Sequence, residues 1–204
     1  MITFPLFHGG SSHYRHLLEI GAAIRPWPHK DAALELMGAV VRELRARGHQ
    51  PESYQENMLR QETGHSNWQH GETYVVAGRQ KALAYAVSNA EHGGELLNEC
   101  AILLRKLAQF DAVAASSIRE RFPELVPMLD GGGRPLIVTI EGVRVEDLQL
   151  EVEREYGVEG LIEKIVNGLN DPIAMSVWGE IGLRLRPGAG VVVAVEEVEA
   201  EPES

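Results

Sequence analysis

The stretch Gly71-Glu72-Thr73-Tyr74-Val75-Val76-Ala77-Gly78-Arg79-Gln80-Lys81-Ala82-Leu83-Ala84-Tyr85-Ala86 changes its local character halfway along. Glu72 to Ala77 carries the β-branched and aromatic residues of a short strand. After Gly78, Gln80 to Asn89 is alanine-rich, and helical spacing turns Leu83, Ala84 and Val87 inward. A strand that passes through one glycine into a helix makes the chain mixed in secondary structure, and the flanks decide how it is mixed.

Upstream, Met1 to Phe7 reads as a strand halted by Gly9-Gly10. A helix capped by Ser11 or Ser12 follows, with Tyr14, Leu17, Leu18, Gly21 and Ile24 on one face before Pro26. A second helix starts at Asp31 with the stripe Ala33, Met37, Val40, Val41 and Leu44, and Gly48 closes it. Gln50 to Gly71 is polar and aperiodic, the profile of a long loop with at most a turn of helix. Downstream, Glu95 to Phe110 is densely apolar, as expected of a central helix. Asp130-Gly131-Gly132-Gly133 reads as a loop and Pro135 to Glu141 as a strand. Gly160 to Leu169 follows as a helix, and Glu180 to Leu185 and Gly190 to Val195 as strands. Strands at both ends and in the middle, with helices grouped between, are too irregular for repeated βαβ units. They predict an α+β fold around a split, largely antiparallel β-sheet core with flanking helices.

The length of 204 residues, with 44% hydrophobic and 24% charged, fits a folded domain rather than a disordered chain. A single domain over residues 1–195 is expected, with an acidic C-terminal tail over 196–204. No apolar run approaches the ~20 residues that span a bilayer, so a cytoplasmic protein without a membrane partner is expected. The lone Cys100 allows neither an intrachain disulfide nor a thiolate metal cluster. Thirty acidic against 19 basic residues give a net charge of -11, which disfavours nucleic acid at long range. Arg42, Arg45, Arg47 and Arg60 are the candidates for a local basic patch.

His13 and His16 lie three apart, and His65 and His70 fall in the polar loop, but no H-E-x-x-H pattern supports a metal, and none is expected. A G-x-S-x-G elbow, a G-x-x-x-x-G-K-[ST] loop and a G-x-G-x-x-G turn are all missing from the sequence. Three other strings stand out. Phe7-His8-Gly9-Gly10-Ser11 puts a histidine at a strand end, followed by glycines that let a ligand approach the backbone. Tyr74 on a strand and Tyr85 on the next helix bring two aromatic rings into one strand-turn-helix unit. Trp178-Gly179-Glu180-Ile181 puts a carboxylate at the mouth of a late strand. Taken singly, each reads as ordinary structure: a turn, two core rings, and a solvated edge charge.

Taken together and in this chain order, the three strings resemble the ADP-ribosyltransferase superfamily, in its His-Tyr-Glu branch that includes the poly(ADP-ribose) polymerase catalytic domains. Tyr74, Lys81 and Tyr85 match the order and spacing of the family's tyrosine, lysine and tyrosine, and Glu180 is matched to its late glutamate in preference to Glu196 or Glu197. Where the family more often has Ser or Thr two residues after the histidine, this chain has Gly10 and then Ser11. The resemblance implies an ADP-ribosyltransferase-like fold and NAD as substrate, with the nicotinamide-ribose bond cleaved and ADP-ribose passed to an acceptor. It implies that Gly9 and Ser11 hold the nicotinamide amide, that Tyr74 and Tyr85 stack on its ring, and that His8 bonds the adenosine-side ribose. Glu180 would stabilise the cationic ribose, which makes Glu180, His8 and Tyr74 the catalytic set. The acceptor is expected to be a protein or a small molecule rather than nucleic acid. Two further readings share the superfamily: an RNA 2′-phosphotransferase-like enzyme using NAD and a toxin type that modifies DNA bases. A non-catalytic domain of the same fold, serving binding or interaction, is the alternative from a different class.

Overall fold

The computed structural model describes residues 1–62 and 69–199, so His65 and the last residues of the acidic tail lie outside the described chain. Two compact units divide it: Met1–Pro26, Glu72–Ala90 and the chain from Arg134 onward form one, and Trp27–Gly71 with Glu91–Gly133 form the other. The first is α+β and the second is helical.

In the α+β unit the organising strand is Pro135–Glu141. Leu136, Ile137, Val138 and Ile140 are all buried, which is the pattern of a strand covered on both faces. With strands β1 (Leu6–Ser11), β2 (Thr73–Val75), β3 (Pro135–Glu141), β4 (Leu148–Leu150), β5 (Leu183–Leu185) and β6 (Val191–Glu197), the unit holds two antiparallel sheets. Their orders are β1-β3-β6 and β2-β5-β4. On one face of β3, Val138 and Ile140 join Leu6, Val75, Leu148, Leu183, Leu185 and Val192 in a core that also takes Leu161 and Ile165. On the other, Ile137 packs against Ala82 and Ala86 of the helix Arg79–Asn89.

Several boundaries differ from the sequence reading. β1 starts at Leu6 rather than Met1 and runs through Gly9 and Gly10 to Ser11, because the ladder with β3 continues to Ser11↔Pro135. The helix expected after it is a single 3-10 segment, Ser12–Leu17, which stops where Leu18 returns to extended backbone. In Arg79–Asn89 the buried residues are Ala82 and Ala86; of the expected inward residues Leu83 is partly buried against them, while Ala84 is exposed and Val87 is 48% exposed. Close approach of helix and strand backbones selects the small residues rather than the larger apolar ones. β5 is shorter than expected, Leu183–Leu185. Glu196 and Glu197 are not tail but the end of β6, opposite Ile137 and Leu136 and ion-paired with Arg79 at 2.7 Å and Arg134 at 2.5 Å.

Asp147 is 6% exposed and anchors the approach to β4. Its carboxylate accepts from Arg144 Nε at 2.9 Å and pairs with Arg186 at 3.3 Å, while its carbonyl accepts from the Arg186 N–H. The Arg144 hydrogen bond, joined by the charges of Arg144 and Arg186, holds the Asp147 carboxyl below the ordinary carboxylate value. A depressed folded-state pKa stabilises above the unfolded value, near ~3.9, and that stability is lost as pH falls through the lowered value. Thermal unfolding between pH 7 and pH 2 should therefore show Asp147→Asn less stable than wild type at neutral pH. The gap should close below about pH 4; a gap independent of pH would refute the assignment.

The helical unit is built from Lys30–Ala46 (α1), Ser53–Arg60 (α2), Glu95–Phe110 (α4), Ala112–Glu120 (α5) and Val126–Leu129 (α6), with Arg79–Asn89 (α3) of the other unit between α2 and α4 in the chain. The predicted stripe of α1 is buried throughout, and Gly48, at φ +82°, ends it as His49 N–H returns to Leu44 O. α4 buries Leu96, Leu97, Cys100, Leu103, Leu104 and Leu107. Each such side chain removed from water contributes roughly 1.5–3 kcal/mol. α2 is a full two turns where the sequence reading allowed one; its Glu52 N–H donates to Gln55 Oε1 at 2.9 Å, a reach-back that polar composition conceals. α5 and α6 fall where no element was expected, α5 being capped by Asp111, whose carboxylate accepts from Ala114 N–H at 2.9 Å. Three of the four arginines of the candidate basic patch are paired with carboxylates: Arg45 with Glu56, Arg47 with Glu43 and Asp111, and Arg60 with Glu56 and Glu62. Among the described residues, no helix is long and apolar enough to cross a membrane.

Candidate functional site

The residues matched to the family's site, His8, Gly9, Ser11, Tyr74, Tyr85 and Glu180, belong to the α+β unit. Phe7 of β1 exchanges both backbone hydrogen bonds with Val76, at 2.7 and 2.9 Å. Antiparallel alternation then points the Gly9 N–H and C=O to the same edge as those of Phe7, and a continued ladder would set Gly9 opposite Tyr74. The Tyr74 carbonyl is instead taken by the His8 ring, whose Nδ1–H donates to it at 2.7 Å. One side chain thus diverts the partner of the next backbone pair, and the peptide edge of Gly9 is left at the point where β1 and β2 separate.

This hydrogen bond sets the proton on Nδ1 and makes Nε2 an acceptor. Burial pushes the His8 pKa below the ordinary histidine value, against the opposing pull of the Tyr74 carbonyl. His8 is therefore neutral at pH 7, with a lone pair suited to a hydroxyl donor.

Gly9 is demanded by packing. A Cβ there would run into the Ala82 carbonyl oxygen and lie 3.0 Å from Ala86 N. The neighbouring Gly10 faces the other way, where a Cβ would make ordinary contact with the His8 ring at 3.6 Å. Ser11 is buried, donates its hydroxyl to Ala90 O at 2.6 Å and accepts from His13 N–H at 3.3 Å. Its single hydroxyl proton is thereby committed to tying the end of β1 to the end of α3, so Ser11 acts as a cap.

Neither tyrosine is a core ring. Tyr85 is 45% exposed on α3. Tyr74 is half-buried; it stands opposite Arg184 of β5, and its hydroxyl donates to Glu72 Oε2 at 3.3 Å. Arg184 pairs with Glu72 at 3.0 Å and donates to Gln149 of β4, so one face of β2-β5-β4 carries a polar row beside the aromatic ring. The reverse face carries Val75, Leu183 and Leu185 into the core.

Glu180 is exposed in the turn between the helix Pro172–Trp178 and β5. That turn is fastened to the start of α3 by the Gly78 N–H, which donates to Gly179 O at 2.6 Å. Both glycines are required by the approach: a Cβ on Gly78 would lie 3.0 Å from Gly179 O, and one on Gly179 would lie 2.6 Å from Met175 O. The histidine, first tyrosine and glutamate strings therefore meet around β1, β2 and the first turn of α3.

Glu151, which no motif singled out, enters the same neighbourhood. Its N–H donates to Gly182 O at 3.0 Å, and its side chain occupies the space of a Cβ on Gly182. Local sequence carries no signal for this contact, which joins residues 31 positions apart. Among the described residues no group of histidine, cysteine, aspartate and glutamate is placed to hold a metal. Comparison of the chain with protein-family models, curated proteins and solved structures finds no match.

Proposed function

We propose that the chain is an NAD-dependent ADP-ribosyltransferase, cleaving the bond between nicotinamide and ribose and passing ADP-ribose to an acceptor. The observation that carries this reading is the capture of the Tyr74 carbonyl by His8, which takes from the Gly9 peptide N–H and C=O the strand partner that a continued β1-β2 ladder would supply. A primary carboxamide needs that pair, and an aromatic ring alongside suits a flat heterocycle. Neutral His8 supplies an acceptor for a ribose hydroxyl, and Tyr85 offers a second exposed ring. The role of Glu180 follows from charge. As the leaving nicotinamide takes the bonding electrons and becomes neutral, positive charge develops on the ribose, and a preorganised carboxylate lowers that barrier.

The acceptor fits a protein or small molecule better than nucleic acid, given the net charge of -11 and the ion-paired arginines of the helical unit. That balance also weighs against an RNA 2′-phosphotransferase-like enzyme. Calorimetric titration with a non-hydrolysable NAD analogue tests the reading. Wild type should bind saturably and Tyr74→Ala about tenfold or more weakly, a loss of ~1.4 kcal/mol, in the range of an aromatic contact. No binding by folded wild type would refute the enzyme and favour a non-catalytic domain.

A further inference from the structure

We propose that Glu72, clamped by Arg184, is a positioning residue that sets specificity at the nicotinamide end of NAD. It holds the Tyr74 ring by its hydroxyl and so favours NAD over ADP-ribose, which has no nicotinamide. The inference rests on the ADP-ribosyltransferase reading and adds to it the residues that restrain the stacking ring.

The register of β2-β5-β4 sets up the arrangement. Tyr74 stands directly opposite Arg184, and Arg184 directly opposite Gln149, so the three side chains share one face across three strands. Arg184 uses its guanidinium as a fork. Its Nη2 donates to Gln149 Oε1, and its Nη1 donates to the Glu72 carboxylate, at 3.0 Å to Oε2 and 3.3 Å to Oε1. A guanidinium is planar and rigid, so engagement of one arm by β4 fixes the direction of the other. The carboxylate held in this way accepts from the Tyr74 hydroxyl at 3.3 Å. At its other end Tyr74 is tied by its carbonyl, which accepts from His8 Nδ1–H at 2.7 Å. The ring between them is therefore restrained at both ends.

The restraint acts on one part of the ligand. A freely rotating tyrosine loses rotamer freedom when a flat heterocycle stacks on it, whereas a ring already held loses little. That gain goes only to a ligand carrying the heterocycle. ADP-ribose keeps the rest of NAD and lacks it, so Glu72 and Arg184 bear on the choice between the two. The side chains of the Arg184–Glu72 pair are 32% and 36% exposed. Water therefore screens the pair, and its effect is a few-fold rather than a hundredfold.

The test is calorimetric titration with two ligands, a non-hydrolysable NAD analogue and ADP-ribose, with thermal unfolding of each variant. Glu72→Leu and Tyr74→Phe should each weaken the analogue about fivefold, the size of one exposed hydrogen bond, and leave ADP-ribose within about twofold. Their combination should be no weaker than either alone, because both remove the same bond. Glu72→Gln keeps an oxygen that accepts from Tyr74 and from Arg184, so it should restore most of the analogue affinity. Arg184→Met takes away the clamp and should weaken the analogue in the same direction. Equal losses for the two ligands would mark a merely structural role and overturn the inference. Unchanged analogue binding in folded Glu72→Leu, additive losses in the double variant, or Glu72→Gln as weak as Glu72→Leu would overturn it too. In those cases analogue binding by wild type leaves the NAD reading standing. Folded wild type that does not bind the analogue would overturn both.

Discussion

Glu180→Gln is expected to lower nicotinamide release from NAD by about a hundredfold or more while analogue binding stays within a few-fold of wild type. The substitution removes a charge and little else, because Glu180 is exposed and Gln has nearly its shape. The turn that carries it is held by backbone and glycine contacts, Gly78 N–H to Gly179 O and the close approach of Gly179 to Met175, none of which uses the carboxylate. Folding and ground-state binding should therefore survive, and the loss should fall on the step in which the ribose becomes cationic. Product analysis of nicotinamide together with calorimetry separates the two. Turnover equal to wild type would remove Glu180 from the mechanism and turn attention to Glu151 or to Glu196, which is already paired with Arg79.

Gly9→Ala should be the most damaging single-methyl change in the α+β unit, and Gly10→Ala should be mild. At Gly9 the added Cβ meets main-chain atoms, Ala82 O and Ala86 N, in the body of a helix. Neither strand nor helix can step aside without disturbing the β1-β3 ladder or the burial of Ile137 against α3. Overpacking of this kind costs roughly 1–3 kcal/mol and more where only backbone can move. At Gly10 the nearest atoms are those of the His8 ring at ordinary contact distance. Urea unfolding of the two variants should separate them by ~2 kcal/mol; equal stabilities would mean that α3 does not lie on β1 as described. If Gly9 also presents its peptide groups to a carboxamide, Gly9→Ala loses analogue binding as well, because movement of β1 shifts the donor and acceptor together.

What was legible in the sequence follows from how local the responsible forces are. The stripe of α1, the dense apolar run of α4 and the β-rich Pro135–Glu141 are read from period and composition alone, since burying an apolar face is their main stabilisation and the residues that do it are neighbours in the chain. The three site strings were also legible as strings. Their assembly was not, for reasons that trace to individual contacts. Gly9-Gly10 reads locally as a stop, yet β1 runs through both, because the pairing with β3 and the nearness of α3 override the local preference of glycine. Leu83, Ala84 and Val87 read as inward by hydrophobicity; Leu83 is partly buried against Ala82 and Ala86, which take the closest contact with the strand, whereas Ala84 and Val87 are exposed. Tyr74 and Tyr85 read as core rings, and only the strand pairing and helix placement turn them toward solvent and polar neighbours. Glu151 stayed invisible until Gly182 brought two distant segments together. Period and composition specify the α+β content, helices α1 and α4 and the central strand, and the motif strings name the candidate groups other than Glu151. Tertiary structure decided where strands end, which helix face is inward and which carboxylates stand beside the histidine and tyrosine strings. Those outcomes depend on hydrogen bonds and close backbone approaches between residues far apart in the chain.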